Sequence, residues 1–386
     1  MSLGRWRVFL LIAFASLTLG LLSSSSELPA YRDEEVYVGC GVAYVLNLTP
    51  PALCNFEHPP FAKYVIGATY VLGVSRYLFV LLYALSCSLL FLTVYEVSRS
   101  YAVALLPSLL LLLDTVFLNT FRFLLLDPVA VFLSVLGTYL LLVGRLGSSA
   151  LALGLAVASK LSSAPVLLGA LYVVQRRRGF RGVAYYISVA LAAYLATYLA
   201  DLQLGLGAVV EHHVSMLTYM SRRHGPSLPI ASIGFLKLLT RVELWRYGAD
   251  VTVVVGTEPG LATYFTSPPP AEYYVVLGVG AGTVLWYALL PLLLYLTYGV
   301  LVGRSPRSWG PVVLISWLSL LNVAAGPIDW YYANALPYLY VAASLALGGI
   351  AGSRFKVVAV PTLCLQAILT ALTLLGLLPY RVALSA

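Results

Sequence analysis

Charge is what this sequence has little of. Acidic and basic residues make up 10% of its 386 residues, against 61% hydrophobic ones, whereas soluble domains carry about 25% charge. A soluble globular protein is excluded. Acid is scarcer than base, 15 Asp and Glu against 23 Lys and Arg. The basic residues, however, fall mostly in short loops between apolar runs, where they set membrane topology, so no nucleic-acid partner is expected. Cysteine is sparse too, at four residues, which excludes a disulfide-rich scaffold. Cys87 and Cys364 lie in apolar runs as packing residues. Cys40 and Cys54 flank a polar stretch and are bridged or free according to a geometry that sequence does not fix. No internal repeat is evident, which weighs against a transporter built from two symmetric halves.

What the chain has instead is apolar runs, each long enough to cross a bilayer at roughly 17–25 residues. Met1–Arg7 is a short basic head before the run Val8–Leu22, a pattern shared with signal peptides; a retained first helix fits better with the spans that follow. Further spans are expected near Tyr77–Val97, Ala102–Leu118 and Leu124–Val143, then two short runs at Ala150–Ala158 and Pro165–Val174, then a helix to about Leu199. The last four are expected near Tyr274–Val302, Val312–Ala325, Leu336–Ile350 and Val357–Leu378. The expectation is an all-α membrane protein of about eleven transmembrane helices, a single integral-membrane domain over 1–386. Two long polar regions, 24–76 and 201–272, interrupt it, the first with amphipathic helices lying along the membrane surface. Placing Arg5, Arg7, Arg99, Arg145, Arg176–Arg178, Arg181, Arg304, Arg307, Arg354 and Lys356 inside makes every short inner loop basic. The N-terminus is then cytoplasmic, and the C-terminus and both polar regions lie outside.

Three features meet on that outer side. Asp33-Glu34 opens the first polar region, His58-Pro-Pro-Phe-Ala-Lys63 closes it, and Arg122-Phe-Leu-Leu-Leu-Asp127 marks re-entry into the membrane. Asp127 is expected more than a turn deep on a helix starting near Arg122, where an ionisable group needs a partner or a water-filled cavity; Lys160 lies on the same side and can be that partner. A carboxylate able to deprotonate a hydroxyl, beside cations able to hold a phosphate, suits group transfer from a lipid-linked donor. Glu211-His212-His213 with His224 invites a metal, but adjacent rings diverge on a helix. Neither metal nor cofactor is expected.

Asp33-Glu34, His58-Pro-Pro with Lys63, and Arg122 to Leu-Leu-Asp127, in this order and at these spacings, resemble the protein O-mannosyltransferases of the GT-C superfamily of polytopic glycosyltransferases. Gly154-Leu-Ala-Val-Ala-Ser-Lys160 resembles the corresponding family segment. The likeness is strongest over residues 25–180, and Trp330-Tyr-Tyr332 with Pro337 extends it more weakly. The resemblance implies a GT-C-like fold and inverting transfer of a hexose, mannose in that family, from a polyprenyl- or dolichyl-phosphate carrier. It implies Asp33 as general base, Glu34 as its acidic neighbour orienting sugar or acceptor, and His58, Arg122, Lys63 and Lys160 at the donor phosphate. Asp127, Tyr331 and Tyr332 support the site. Membrane lipids and a hydroxyl of a protein, glycan or lipid are the implied partners. The soluble insert of eukaryotic members has no room in 201–272, which leaves the acceptor open. A lipid or small-solute transporter using Asp127 and Lys160, or a non-catalytic subunit of the same fold, is the alternative.

Overall fold

In lipid the backbone cannot hydrogen-bond to solvent, so apolar stretches satisfy their N–H and C=O groups inside helices. The computed structural model describes residues 3–24, 32–223, 234–246, 273–325, 329–380 and 382–385. Helix α1 (Leu3–Ser24) packs on α4 (Ser75–Ser98). Between them the first polar region folds into two helices, α2 (Arg32–Leu46) and α3 (Phe61–Val71), as expected of that loop. These two cross very closely: a Cβ on Gly67 would come within 2.0 Å of the Gly41 carbonyl oxygen, so only glycine fits. Cys40 and Cys54 are bridged, with Cα atoms 5.6 Å apart, which staples α2 to the turn before α3.

The expected span at Ala102–Leu118 is broken. Helix α5 (Tyr101–Leu113) and α6 (Thr115–Arg122) meet at 54°. Asp114 sits extended between them and caps α6, its carboxylate accepting from the Phe117 N–H at 2.8 Å. Chain re-entry also differs from the sequence expectation: α7 (Leu126–Leu142) begins four residues after Arg122 rather than near it, because Phe123 and Leu125 are extended. The proline after Asp127 disfavours a helical residue before it except at a helix start. Asp127 therefore lies in the first turn of α7, not a turn deeper.

Helix α8 (Leu146–Ser159) packs on α7 and on α9 (Ala164–Ala196). Gly179, at φ 65° and ψ −167°, bends α9 into two halves, with Arg176–Arg178 and Arg181 at the bend. Helix α10 (Ala208–Arg223) and α11 (Gly234–Thr240) follow. Where a span was expected from Tyr274, the chain forms a strand. Strands β1 (Val242–Arg246), β2 (Tyr273–Leu277) and β3 (Val382–Ser385) make an antiparallel sheet in the order β1-β2-β3; the aromatic and β-branched residues of β2, Tyr-Tyr-Val-Val-Leu, suit it. Helices α12 (Leu289–Leu301), α13 (Gly310–Ser319), α14 (Asp329–Ala351) and α15 (Phe355–Leu374) complete the bundle. Helix α14 runs through its centre: Leu336, Leu339, Tyr340, Ala342 and Ala343 are fully buried in the main core.

Among the described residues four helical stretches are long and apolar enough to cross a membrane, five if α5 and α6 form one bent span, and several apolar helices are shorter. Two of the long stretches are interrupted, α9 at Gly179 and α14–α15 at Gly352–Arg354.

Candidate functional site

Three polar clusters gather where the first loop meets α6, α7 and α14. The first is built on the opening turn of α2, whose N-terminal backbone N–H groups favour acidic side chains there. Asp33 is half-buried, whereas Glu34 is only 4% exposed. One Glu34 oxygen accepts from Arg76 Nη2 at 2.8 Å and from the Leu124 N–H at 3.2 Å. Its Oε2 is buried with no hydrogen-bond partner among the described residues. Arg76 also donates through Nη1 to the Arg122 carbonyl, so a single guanidinium ties the start of α2 to the α6–α7 corner. Arg122 itself is buried, with Arg76 and Tyr380 as electrostatic neighbours. His58 comes to the same side of α2: its ring meets that of Tyr37, one turn on from Asp33, edge-on at 6.0 Å. Asp33, Glu34, His58 and Arg122 are thus brought to one corner. Arg76 belongs with them and was missed; lying after Gly73 and before an apolar run, it read as a span boundary.

The second cluster is an ion pair. Lys160 Nζ lies 2.7 and 2.9 Å from the two Asp127 oxygens, and Asn334 Nδ2 donates to Oδ1 at 2.7 Å. The Tyr331 ring covers the ammonium at 5.0 Å. The pairing of Lys160 with Asp127 is the one the sequence suggested; the consequence is that Lys160 already faces a carboxylate.

Lys63 departs further from the expected phosphate role. It is fully buried, and its three protons go to the Asn55 carbonyl at 2.5 Å, the His58 carbonyl at 2.9 Å and Asn55 Oδ1 at 3.2 Å. Burial draws its pKa down to about 7, against the smaller opposing pull of Glu57 and Asp201. It holds the loop together from inside. Beside it, His212 bridges Asp201 Oδ2 at 2.7 Å and the Phe56 carbonyl at 3.0 Å, while the other Asp201 oxygen accepts from the Ala52 N–H at 2.9 Å. Both His212 nitrogens thus lie within hydrogen-bond distance of an oxygen. His213 turns away to Val209 and Tyr194. His212 alone is therefore a clasp between the two polar regions; His224 lies outside the described residues. No cluster of three or more His, Cys, Asp or Glu able to hold a metal occurs among the described residues.

The third cluster carries a cation that the sequence reading passed over. Lys237 of α11 is 2% exposed and stands 4.6 Å over the Tyr332 ring, which packs on Trp286 at 5.5 Å. The Trp286 N–H donates to the Lys237 carbonyl at 2.8 Å. The first turn of α14 thus sends Tyr331 toward Lys160 and Tyr332 toward Lys237, which gives the two expected aromatic residues different partners. A lone lysine within Phe-Leu-Lys-Leu-Leu was the available signal for Lys237.

No protein-family model matches the chain, and no curated protein does. Solved structures do. The Archaeoglobus fulgidus oligosaccharyltransferase in complex with Zn and sulfate aligns over 95% of this chain and 53% of its own, at 14% identity and a TM-score of 0.59. ArnT from Cupriavidus metallidurans bound to undecaprenyl phosphate aligns over 90% of this chain and 60% of its own, at 18% identity and a TM-score of 0.53. The archaeal oligosaccharyltransferase AglB from Archaeoglobus fulgidus, in complex with an inhibitory peptide and a dolichol-phosphate, aligns at a TM-score of 0.56 with 14% identity, over 97% of this chain and 55% of its own. The chain has the fold of GT-C membrane glycosyltransferases, and it spans little more than half the length of these structures.

Proposed function

We propose that this chain is an integral-membrane glycosyltransferase that moves a hexose from a polyprenyl-phosphate carrier to a hydroxyl acceptor. The observation that carries the reading is the Glu34–Arg76–Arg122 link, which ties the helix turn carrying half-buried Asp33 to the corner where Arg122 is buried. A GT-C fold shared with enzymes solved with undecaprenyl phosphate and dolichol-phosphate supports the carrier class.

In this reading Asp33 takes the proton of the acceptor hydroxyl as its oxygen attacks the anomeric carbon from the face opposite the phosphate. The C1–O bond to phosphate breaks, its electron pair leaves with the polyprenyl phosphate, and the sugar centre inverts. The leaving group departs already ionised, so it needs cations more than a proton donor; Arg122 and His58 are assigned that task. The unpartnered oxygen of Glu34 faces sugar or acceptor. Lys160 with Asp127, and Lys63 with its three acceptors, are assigned to holding the site rather than the phosphate. Tyr331 and Tyr332 form the aromatic wall between Lys160 and Lys237. Mannose is the sugar that the family resemblance favours. The eleven-span layout, with the N-terminus cytoplasmic and this corner outside, is kept as part of the proposal on the distribution of the basic residues Arg99, Arg145, Arg176–Arg178, Arg304 and Arg354 along the sequence. A carrier for solutes is less supported, because the Asp127–Lys160 pair is closed upon itself.

The test is incubation of the purified chain with radiolabelled polyprenyl-phosphate hexoses and an acceptor panel of peptide, glycan and lipid hydroxyls. Label leaving the carrier for an acceptor is the expected result. Carrier that stays intact with every acceptor, or label that crosses a proteoliposome without covalent change, overturns the reading.

A further inference from the structure

Far from the acidic corner, a cleft of about 570 Å³ opens on the flank of the bundle between α9, α12 and α13. Its wall is apolar: Tyr172 from α9, Val300 and Leu301 from α12, Val313, Leu314 and Trp317 from α13. Its lip carries Arg176 and Arg177, both exposed, at the bend of α9. That bend is the end of α9 remote from Lys160, since the first half of the helix rises away from the Asp127–Lys160 pair for about 1.5 Å per residue. No carboxylate lines the cleft, and none pairs with Arg176 or Arg177 among the described residues; Arg177 makes one long bond, 3.4 Å, to the Leu141 carbonyl. Glu96, in the last turn of α4, is already held by Arg5 and Arg99.

Two exposed guanidinium groups at the mouth of an apolar slot match one kind of molecule. Arginine forks suit phosphate oxygens, and basic sites between spans at the cytoplasmic side of a bundle take anionic lipid head groups. The volume lies within the range of formed ligand clefts, about 300–1,000 Å³, and the wall offers an acyl chain mostly apolar contacts, its Thr297 hydroxyl being bonded to the Trp317 N–H at 2.9 Å. We infer that this cleft binds an anionic phospholipid, its phosphate on Arg176 and Arg177 and one chain against Leu301, Leu314 and Trp317. This site is separate from the donor corner, and its occupancy does not depend on the transfer reaction.

The experiment is native mass spectrometry of the purified, detergent-solubilised full chain with added dioleoyl phosphatidylglycerol or dioleoyl phosphatidylcholine. Phosphatidylglycerol is expected to be retained with roughly tenfold or greater preference, given the attraction of an anionic head group to two nearby arginines. Arg176→Gln with Arg177→Gln should abolish the preference, and Leu314→Trp should lower retention while leaving every charge in place. Arg178→Gln with Arg181→Gln removes the same charge outside the cleft and should change little. The proposal is overturned if wild type shows no preference, or if the Arg178 and Arg181 variant loses as much as the Arg176 and Arg177 variant, which would mark diffuse attraction. It is also overturned if undecaprenyl phosphate displaces phosphatidylglycerol at equal concentration, which would make the cleft part of the donor path. Thermal melting of each variant separates loss of lipid from loss of fold.

Discussion

Two buried carboxylates in this molecule each meet a cation, yet they are finished differently. Asp127 is closed: Lys160 spans both its oxygens, Asn334 takes one of them, Tyr331 covers the ammonium, and both charged side chains are under a tenth exposed. Glu34 is left open: its second oxygen has no hydrogen bond among the described residues, and its partner Arg76 is 47% exposed. A buried ion pair with every donor and acceptor matched fixes a structure, whereas one with an oxygen to spare can still take a ligand group. On the proposed function the contrast separates the holding part of the site from its reactive part, with Asp33, next to Glu34 in the first turn of α2, assigned to the open side.

The comparison breaks most severely at Asp33. Asp33→Asn keeps shape and hydrogen-bonding but removes the base, so the transfer rate should fall by about 10²–10⁴-fold, with donor binding within a factor of about three. Wild-type-like turnover in the radiolabel assay would remove the base assignment. The closed pair should respond in stability instead. Asp127→Ala leaves the Lys160 ammonium buried and uncompensated and should cost about 3–5 kcal/mol, read as a large fall in melting temperature. The double variant Asp127→Ala, Lys160→Met should recover much of that loss. A double variant as unstable as the single would mean that the pair's worth lies in packing, not in charge.

The disulfide supplies a test on the open side. With a sequence separation of 14 between Cys40 and Cys54, removing the bridge should lower loop stability by about 3 kcal/mol on the chain-entropy account. Limited proteolysis within 47–60 should accelerate, and transfer should fall with it, because His58 and Asp33 are held on the two sides of the staple. Faster cleavage with unchanged transfer would show that the loop's far end is not part of the reactive corner. Arg122→Ala should weaken binding of undecaprenyl phosphate by about tenfold to a hundredfold, the loss expected of charge-assisted hydrogen bonds. Unchanged affinity would take Arg122 out of the phosphate site and pass that role to Lys237.

Much of this was legible in the sequence where one local rule decides the outcome. The helices of the first loop follow from apolar residues spaced among polar ones, and the partnership of Asp127 with Lys160 follows from the cost of leaving a buried charge without a partner. Breaks inside apolar runs were not legible. Asp114 caps a helix in the middle of Leu-Leu-Leu-Asp-Thr-Val-Phe, and hydropathy sees only one stray acid there. Gly179 bends α9 because it alone tolerates φ 65°, a choice invisible without the chain's path on both sides. Tyr273–Leu277 pairs with strands 31 residues upstream and more than a hundred downstream in β1 and β3, and partners so remote leave no local periodicity to distinguish a strand from the start of a span. The use of Lys63 was hidden for a related reason: its acceptors are carbonyls, which every residue has.

Lys63 carries the smallest expected effect and the sharpest sign. Burial draws its pKa to about 7, below the ordinary value of 10.5. Between these two values the unfolded chain therefore holds a proton that the folded loop releases. Stability should rise as pH increases from about 7 toward 10. Three carbonyl-type acceptors oppose this by favouring the ammonium, so the net rise should be modest, a few degrees of melting temperature. Hydrogen exchange of residues 47–60 between pH 6.5 and 9.5, corrected for the intrinsic rate, measures it locally, and Lys63→Met should flatten the profile. The upper limit stays below the range in which Tyr44, whose hydroxyl burial pushes well above its ordinary pKa, would begin to weigh on the unfolded chain. A wild-type profile already flat would mean that the acceptors keep Lys63 charged throughout, and that the loop is closed by an ammonium at every pH the membrane surface presents.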